Sequence, residues 1–375
     1  MTINLFQAVI SEESIQAVSE VLRSGWIGLG PKTKEFEDEF SKYINTKYTI
    51  GLNSCTSALH LAMELIDIQE GDEVLTTALT FVSTNHAILY KKGTPVFVDI
   101  QPNTLNIDPE DIKRKITSRT KAIICVHYAG YPCDLDEIHK IAKENNLMVI
   151  EDCAHACGAS YKGKKIGSIS DINCFSFHAV KNLPMGDGGA ITTNNSSYNE
   201  RLNKLRWLGI DKSTFNRTES ESEKNINVRA YAWRYNVEEL GYKYHLNDIN
   251  ASIGIEELKK LDVANDRRRE IGNMYRNGLK NIEDLELLEY KDDRITSQHI
   301  FCIKVDKRTE LISKLKENDI HPGVHYYRND FYSLFKKADL PKLELVHDKL
   351  LSLPLHLALS NDEVEKVIEV IKKDW

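Results

Sequence analysis

Three short stretches of the chain carry residue types that could do chemistry. Residues 53–62, NSCTSALHLA, place small and hydroxyl side chains where a β-rich run passes into a helical one. Backbone N–H groups at such a junction lie at the positive end of the helix dipole, an arrangement that suits a phosphate. The same composition also serves simple N-capping by Ser54 or Thr56. Residues 149–158, VIEDCAHACG, put Asp152 at the end of an expected strand. Ligands of open parallel sheets gather at the carboxyl ends of strands, so this carboxylate could hold a positive charge on a bound ring; it could equally cap the following helix. Residues 175–190, FSFHAVKNLPMGDGGA, set Lys181 after another expected strand and ahead of Gly186, Gly188 and Gly189. Those glycines let backbone approach a ligand closely.

A lysine with an ordinary pKa leaves well under about one amine in a thousand neutral at pH 7. Forming a Schiff base therefore demands a partly desolvated site with tuning groups nearby. Taken alone, Lys181 reads as a solvated loop lysine. With the other two stretches it reads differently. A phosphate cradle, a strand-end carboxylate and, 29 residues further on, a lysine beside glycines match the needs of pyridoxal phosphate for its phosphate, its ring nitrogen and its aldehyde. Cys153, His155 and Cys157 superficially suggest a metal site. Zinc usually takes four ligands, and no second pair stands at suitable spacing, so no metal is expected.

These residues need elements to position them. Short apolar, β-branched runs at 48–52, 94–99, 122–127, 147–152, 173–177 and 190–193 lack clean alternation, as strands buried on both faces do. Amphipathic stretches lie between them. In one, Leu135, Ile138, Ile141 and Ala142 share a face, with Asp134 and Glu137 as its expected capping box. Alternating β and α elements predict an α/β fold with a mostly parallel central sheet covered by helices. Residues 217–227, RTESESEKNIN, read as a polar loop, followed by the aromatic cluster Tyr231, Trp233 and Tyr235. A long helix is expected over about 253–279, and a last one capped by Ser360 and Glu363 with Val364, Val367, Ile368 and Ile371 buried. This pattern predicts a large domain over 1–255, with the N-terminal segment packing on the other domain, and a smaller α+β domain over 256–375.

The bulk numbers exclude other classes. The 375 residues exceed one typical core. With a net charge of −7 and no basic block interleaved with aromatics, a nucleic-acid partner is not expected. No apolar run approaches the roughly 20 residues of a membrane span, and residues 1–10 lack the pattern of a signal peptide. Seven scattered cysteines suit reduced thiols, so a cytoplasmic location is expected.

The chain resembles the DegT/StrS nucleotide-sugar aminotransferases, fold-type I pyridoxal-phosphate enzymes with an aspartate-aminotransferase-like fold. The resemblance rests on ordered blocks: GPKTKEF at 30–36, residues 53–62, TFVS at 80–83 with PVFVD at 95–99, residues 151–158 and 175–190, GYKYHLNDINASIG at 241–254, GVHY at 323–326 and LPLHLAL at 353–359. It implies Lys181 as the lysine that holds pyridoxal phosphate as an internal aldimine and shuttles the proton, with cycling through pyridoxamine phosphate. It implies Asp152 as the partner of the ring nitrogen, and His155 near the ring's phenolic oxygen. Cys55, Thr56 and Ser176 fall at phosphate positions, and Phe81 where an aromatic ring stacks on the cofactor. Lys243 lies in a segment that reaches the neighbouring subunit's phosphate, which implies a homodimer with shared sites. His325 and Tyr326 are candidates for the substrate pocket; His178 and His321 have no firm role. Cys55 replaces a frequent glycine, Lys243 a frequent asparagine and Asp187 a frequent glutamate.

The implied reaction moves an amino group from an amino acid, L-glutamate by resemblance, to a keto sugar carried on a nucleotide, for surface polysaccharide or other glycan biosynthesis. A dehydratase branch of the same fold carries histidine in place of the lysine present here. An aminotransferase for a smaller phosphorylated ketone, or a cofactor-binding regulator without catalysis, are the rival readings.

Overall fold

The structure, a computed structural model, describes residues 2–211, 235–373 and 375. The expected loop at 217–227, together with Tyr231 and Trp233, lies outside the described residues.

Seven strands form the central sheet: β1 (Tyr48–Leu52), β2 (Glu73–Thr77), β3 (Thr94–Val98), β4 (Thr120–Val126), β5 (Met148–Asp152), β8 (Ile172–Ser176) and β9 (Gly189–Thr193). Their order is β1-β9-β8-β5-β4-β2-β3. The pairs β2–β3, β2–β4, β4–β5 and β5–β8 are parallel, and β9 runs antiparallel to both of its neighbours. Fold type and most strands match the reading of the sequence. The exception is β2, which the pattern of apolar runs does not reveal although it is an interior strand, between β4 and the edge strand β3. Its residues, EVLTT, are buried throughout, but a glutamate and two threonines do not resemble an apolar run. Glu73 is accommodated by pairing with Arg119 and accepting from the Thr117 hydroxyl at the strand's edge.

Alternate residues of each strand feed opposite cores. Ile123, Cys125, Val149 and Phe175 pack with Phe36 and Phe40 of the helix Pro31–Ile44 and with Leu135, Ile138 and Ile141 of the helix Leu135–Glu144. Ala122, Ile124, Ile150 and Cys174 pack on the other face against Ala58, Leu59 and Ala62 of the helix Cys55–Leu65. The expected capping box at Asp134 is absent. The Asp134 carboxylate makes no cap bond and instead meets Lys291 at 2.9 Å and Arg294 at 2.8 Å. A cation pair from a distant segment outcompetes a local N–H.

Two short ribbons flank the sheet: β6 (Ser160–Tyr161) and β7 (Lys164–Lys165) with β13 (Arg294–Ile295), and β10 (Ile210–Asp211) with β11 (Asn236–Val237). The expected helix over 253–279 is two helices, Asp248–Leu258 and Leu261–Leu279. Leu258 and Leu261 are both buried on either side of the break. The first helix packs on Glu12–Ser24 and Pro31–Ile44, the second on Asn361–Lys372, so one straight rod could not serve both cores. The last helix carries the expected Ser360–Glu363 capping box. It covers an antiparallel sheet of β12 (Leu285–Leu287), β14 (Phe301–Val305) and β15 (Leu350–Leu353). Ile3 joins that core, and its N–H donates to the Asp319 carbonyl at 2.8 Å. All seven cysteines are buried free thiols. No helix among the described residues is long and apolar enough to cross a membrane.

Candidate active site

The carboxyl ends of β1, β5 and β8 open on one side of the sheet, and β9 begins there. Gly189 sits opposite both Leu52 and Ser176 in register. A Cβ on Gly189 would stand 2.3 Å from the Ser54 carbonyl carbon and 2.6 Å from the Cys55 nitrogen. Glycine alone lets β9 press against the start of the helix Cys55–Leu65. That helix is capped by Ser54, whose hydroxyl accepts from the Ser57 N–H at 3.1 Å, which leaves Cys55 and Thr56 at the cavity.

The cavity holds about 360 Å³, within the range of small-molecule sites. At its floor, Asp152 is 3% exposed. Its Oδ2 accepts from the Thr84 hydroxyl at 2.8 Å and its Oδ1 from the Ala154 N–H at 3.1 Å. Thr84 in turn lies 3.0 Å from the Thr80 hydroxyl. Burial pushes the Asp152 carboxyl above the usual carboxylate range, against these two hydrogen bonds and the charge of Lys181. The neighbouring Glu151 points away and meets His127 Nε2 at 2.9 Å and the Ser170 N–H at 2.9 Å. Cys133 donates its N–H to His127 Nδ1 at 3.1 Å, so the imidazole donates from Nε2 to Glu151. Cys153 lies near this pair, and the three ligand atoms fall within 4.8 Å of one another. This is not the Cys153, His155 and Cys157 set that the sequence suggested, and both His127 nitrogens are already engaged.

Lys181 enters from a turn after β8, where its N–H donates to the His178 carbonyl at 2.8 Å. The side chain keeps some exposure to the cavity, but protein surrounds its amine. That desolvation lowers its pKa to about 8, opposed by Cys55 and Asp152. Roughly a tenth of such an amine is neutral at pH 7, against well under a thousandth for a free lysine. Nζ lies 3.4 Å from His299 Nε2. His155 Nε2 is 2.8 Å from the Tyr326 hydroxyl, while its Nδ1 is buried without a partner among the described residues. His325, beside it, holds the Ser352 hydroxyl at 2.9 Å, and burial with the charge of Lys181 takes its pKa down to about 4.

Cys55, Thr56, Phe81, Asp152, His155, Ser176, Lys181, His325 and Tyr326, which the sequence singled out, thus line one cavity, and His178 and Asp187 join them. Phe81 is 58% exposed, which leaves an aromatic face bare at the cavity. Lys243 is not among the lining residues; its ammonium sits 3.2 Å from the centroid of the Trp207 ring. His321 is also elsewhere, its N–H donating to the Ile3 carbonyl. Two residues at the site escaped the sequence reading. Thr84, four residues after Thr80, carried a weak signal in that spacing; His299, in a polar run ahead of β14, carried none.

The donor set fits pyridoxal phosphate. Asp152 is a desolvated carboxylate without a cation within ion-pair distance among the described residues, an amine of lowered pKa stands across the cavity, and a capped helix N-terminus ends it. A cationic ring nitrogen would compensate the first, an aldehyde would meet the second and a phosphate the third.

The chain is similar to known proteins along nearly its whole length. Residues 8–372 match the DegT/DnrJ/EryC1/StrS aminotransferase family. The chain is 43% identical to the uncharacterized protein MJ1066 of Methanocaldococcus jannaschii, over 98% of this chain and 96% of that one. It is 39% identical to the spore coat polysaccharide biosynthesis protein SpsC of Bacillus subtilis, over 97% and 95%. AtS13 of Actinomadura melliaura superposes with a TM-score of 0.91 at 37% identity, covering 100% and 99%. The PLP-form of Spr1654 of Streptococcus pneumoniae, a putative sugar aminotransferase by name, superposes with a TM-score of 0.89 at 31% identity, covering 99% and 98%. Agreement over the full length, in sequence and in fold, places the chain in the DegT/DnrJ/EryC1/StrS aminotransferase family.

Proposed function

We propose that this pyridoxal-phosphate-dependent aminotransferase transfers the amino group of L-glutamate to a nucleotide-linked keto-deoxysugar, in the making of a surface polysaccharide or another glycan. The observation that carries the reading is the meeting of Lys181 and Asp152 in one cavity closed by a helix N-terminus. The relative named for spore coat polysaccharide biosynthesis supports the glycan setting.

When bound, the cofactor supplies an aldehyde for amine exchange and a ring that takes up an electron pair. The protein's own residues do the rest. Cys55 and Thr56, through backbone N–H groups, and the Ser176 hydroxyl bind the phosphate. Asp152, held by Thr84 and the Ala154 N–H, keeps the ring nitrogen protonated. Phe81 covers one ring face and His155 stands by the phenolic oxygen. Lys181, its pKa lowered by burial, holds the cofactor, then as a free amine takes the α-proton of the donor and returns a proton to the acceptor carbon. His325 and Tyr326 border the side from which substrates enter. Lys243, exposed on this chain, reaches the phosphate of the partner subunit in a homodimer.

The test is a half-reaction. Protein converted to its amino form with glutamate is mixed with candidate ketones, and the absorbance of the aldehyde form is followed. Nucleotide-linked keto sugars should restore it and phosphorylated trioses should not. Restoration by the trioses alone would move the assignment to the smaller ketone, and no response to glutamate would remove the donor.

A further inference from the structure

The amine of Lys181 has one hydrogen-bond partner among the described residues, His299 Nε2 at 3.4 Å. That imidazole is 1% exposed, although nothing in the reaction as derived requires a histidine there. It is held firmly. Its backbone N–H donates to the Ala129 carbonyl at 3.0 Å. The Phe6 ring lies 5.7 Å from it at an interplanar angle of 11°, and the His155 ring 4.6 Å away on the cavity side. Its Nδ1 is buried with no partner among the described residues. A buried polar atom left unpaired is costly, so the ring is held there at some expense to stability.

We propose that His299 is a positioning residue for the proton transfers of Lys181: its Nε2 accepts a hydrogen bond from the free lysine amine and fixes where Nζ waits between taking and returning the proton. The proposal rests on Lys181 being the proton carrier. Once exchange frees that lysine, its flexible four-carbon stem needs an anchor. The anchor must not itself take the proton, and the surroundings of His299 ensure this. Burial, Lys181, His155, Arg268 and His325 all hold the imidazole well below its ordinary pKa. Arg268 is buried in the same region with no carboxylate partner among the described residues, its Nη1 meeting the Leu355 carbonyl at 3.4 Å. The negative groups facing the pair are the Asp152 carboxylate and, when ionised, the Cys55 thiol, both on the lysine side. The imidazole thus stays neutral, and with its one proton on Nδ1 the Nε2 atom accepts from the amine.

The test compares three variants. Glutamine can place its amide oxygen about where Nε2 lies, and asparagine can reach only to the position of Nδ1. In the glutamate half-reaction, His299→Asn and His299→Leu should lower the maximal rate by roughly ten- to a hundredfold with the half-saturating glutamate concentration little changed, and His299→Gln should recover most of it. In the cofactor-free protein, the pH dependence of Lys181 labelling by an amine reagent, read by peptide mass spectrometry, reports the lysine directly. Loss of an acceptor disfavours the ammonium, so the Lys181 pKa should fall in the Leu and Asn variants and stay near the parent value in the Gln variant. Equal rates and equal labelling pKa values in all forms would overturn the proposal. So would equal losses in Gln, Asn and Leu, which would mark a packing role. Should Lys181→Ala itself retain full turnover, the reading of Lys181 fails first, an outcome distinct from either of these.

Discussion

Lys181 and Asp152 have shifted pKa values for one physical reason: both are charged groups taken out of water and only partly compensated. The lysine titrates at about 8 in the fold against 10.5 in an unfolded chain. Between those values the unfolded state binds more protons, so stability rises with pH. The cofactor-free protein should gain up to about 3 kcal/mol from this group across that interval. Lys181→Met should remove the slope in urea unfolding curves taken over the same pH range. The same substitution, or Lys181→Ala, should cut multiple turnover by about 10²–10⁴-fold, the usual weight of a positioned acid–base group. Thr84 offers a finer probe. Hydrogen bonds to charged groups are worth about 1.5–3 kcal/mol, so Thr84→Val should weaken cofactor binding roughly ten- to a hundredfold, measured by absorbance titration. Thr84→Ser, which keeps the hydroxyl, should bind nearly as the parent does.

The site exists because elements end together. Three strand ends and one strand start meet at the cavity, and Gly189 makes their closest approach possible. A methyl group there meets backbone, which cannot rotate away. Gly189→Ala should therefore cost about 1–3 kcal/mol, the usual range for overpacking. It should also loosen phosphate binding, because the helix start would move from its place beside Ser176. Denaturant midpoints and competition by inorganic phosphate would read the two effects. At this scale the sequence was legible where an element is apolar and regular. Six of the seven sheet strands could be located, and the Ser360–Glu363 cap was visible. It was not legible where a distant partner decides. Glu73 opens a buried strand because Arg119 and Thr117 meet it, and Asp134 gives up its cap to Lys291 and Arg294. Those partners lie more than forty residues away in the chain.

For the whole molecule, the proposed homodimer with shared sites makes a separate prediction. Trp26, Ile27, Ile15 and Leu22 are apolar and exposed at 60%, 49%, 53% and 54% on the N-terminal helix and the turn after it, a face that a second copy would cover. Sedimentation should give a dimer. If Lys243 serves the partner's phosphate, mixed dimers of Lys181→Ala with Lys243→Ala protomers contain one site that keeps both lysines. Refolding the two inactive variants together should then restore part of the activity, whereas a site completed within one chain would show no such rescue.

Fold class, cofactor and most of the residues at the cavity were legible along the chain. Apolar runs, a helix start rich in small residues and a lysine beside glycines are local patterns, and their order along the chain is already chemical information. It took the folded chain to show that Thr84 holds Asp152, that His299 is the hydrogen-bond partner of the Lys181 amine, and that the helix over 253–279 breaks in two to serve separate cores. Hydrogen bonds and burial depend on distance in space, and His299 stands 118 residues from Lys181 along the chain.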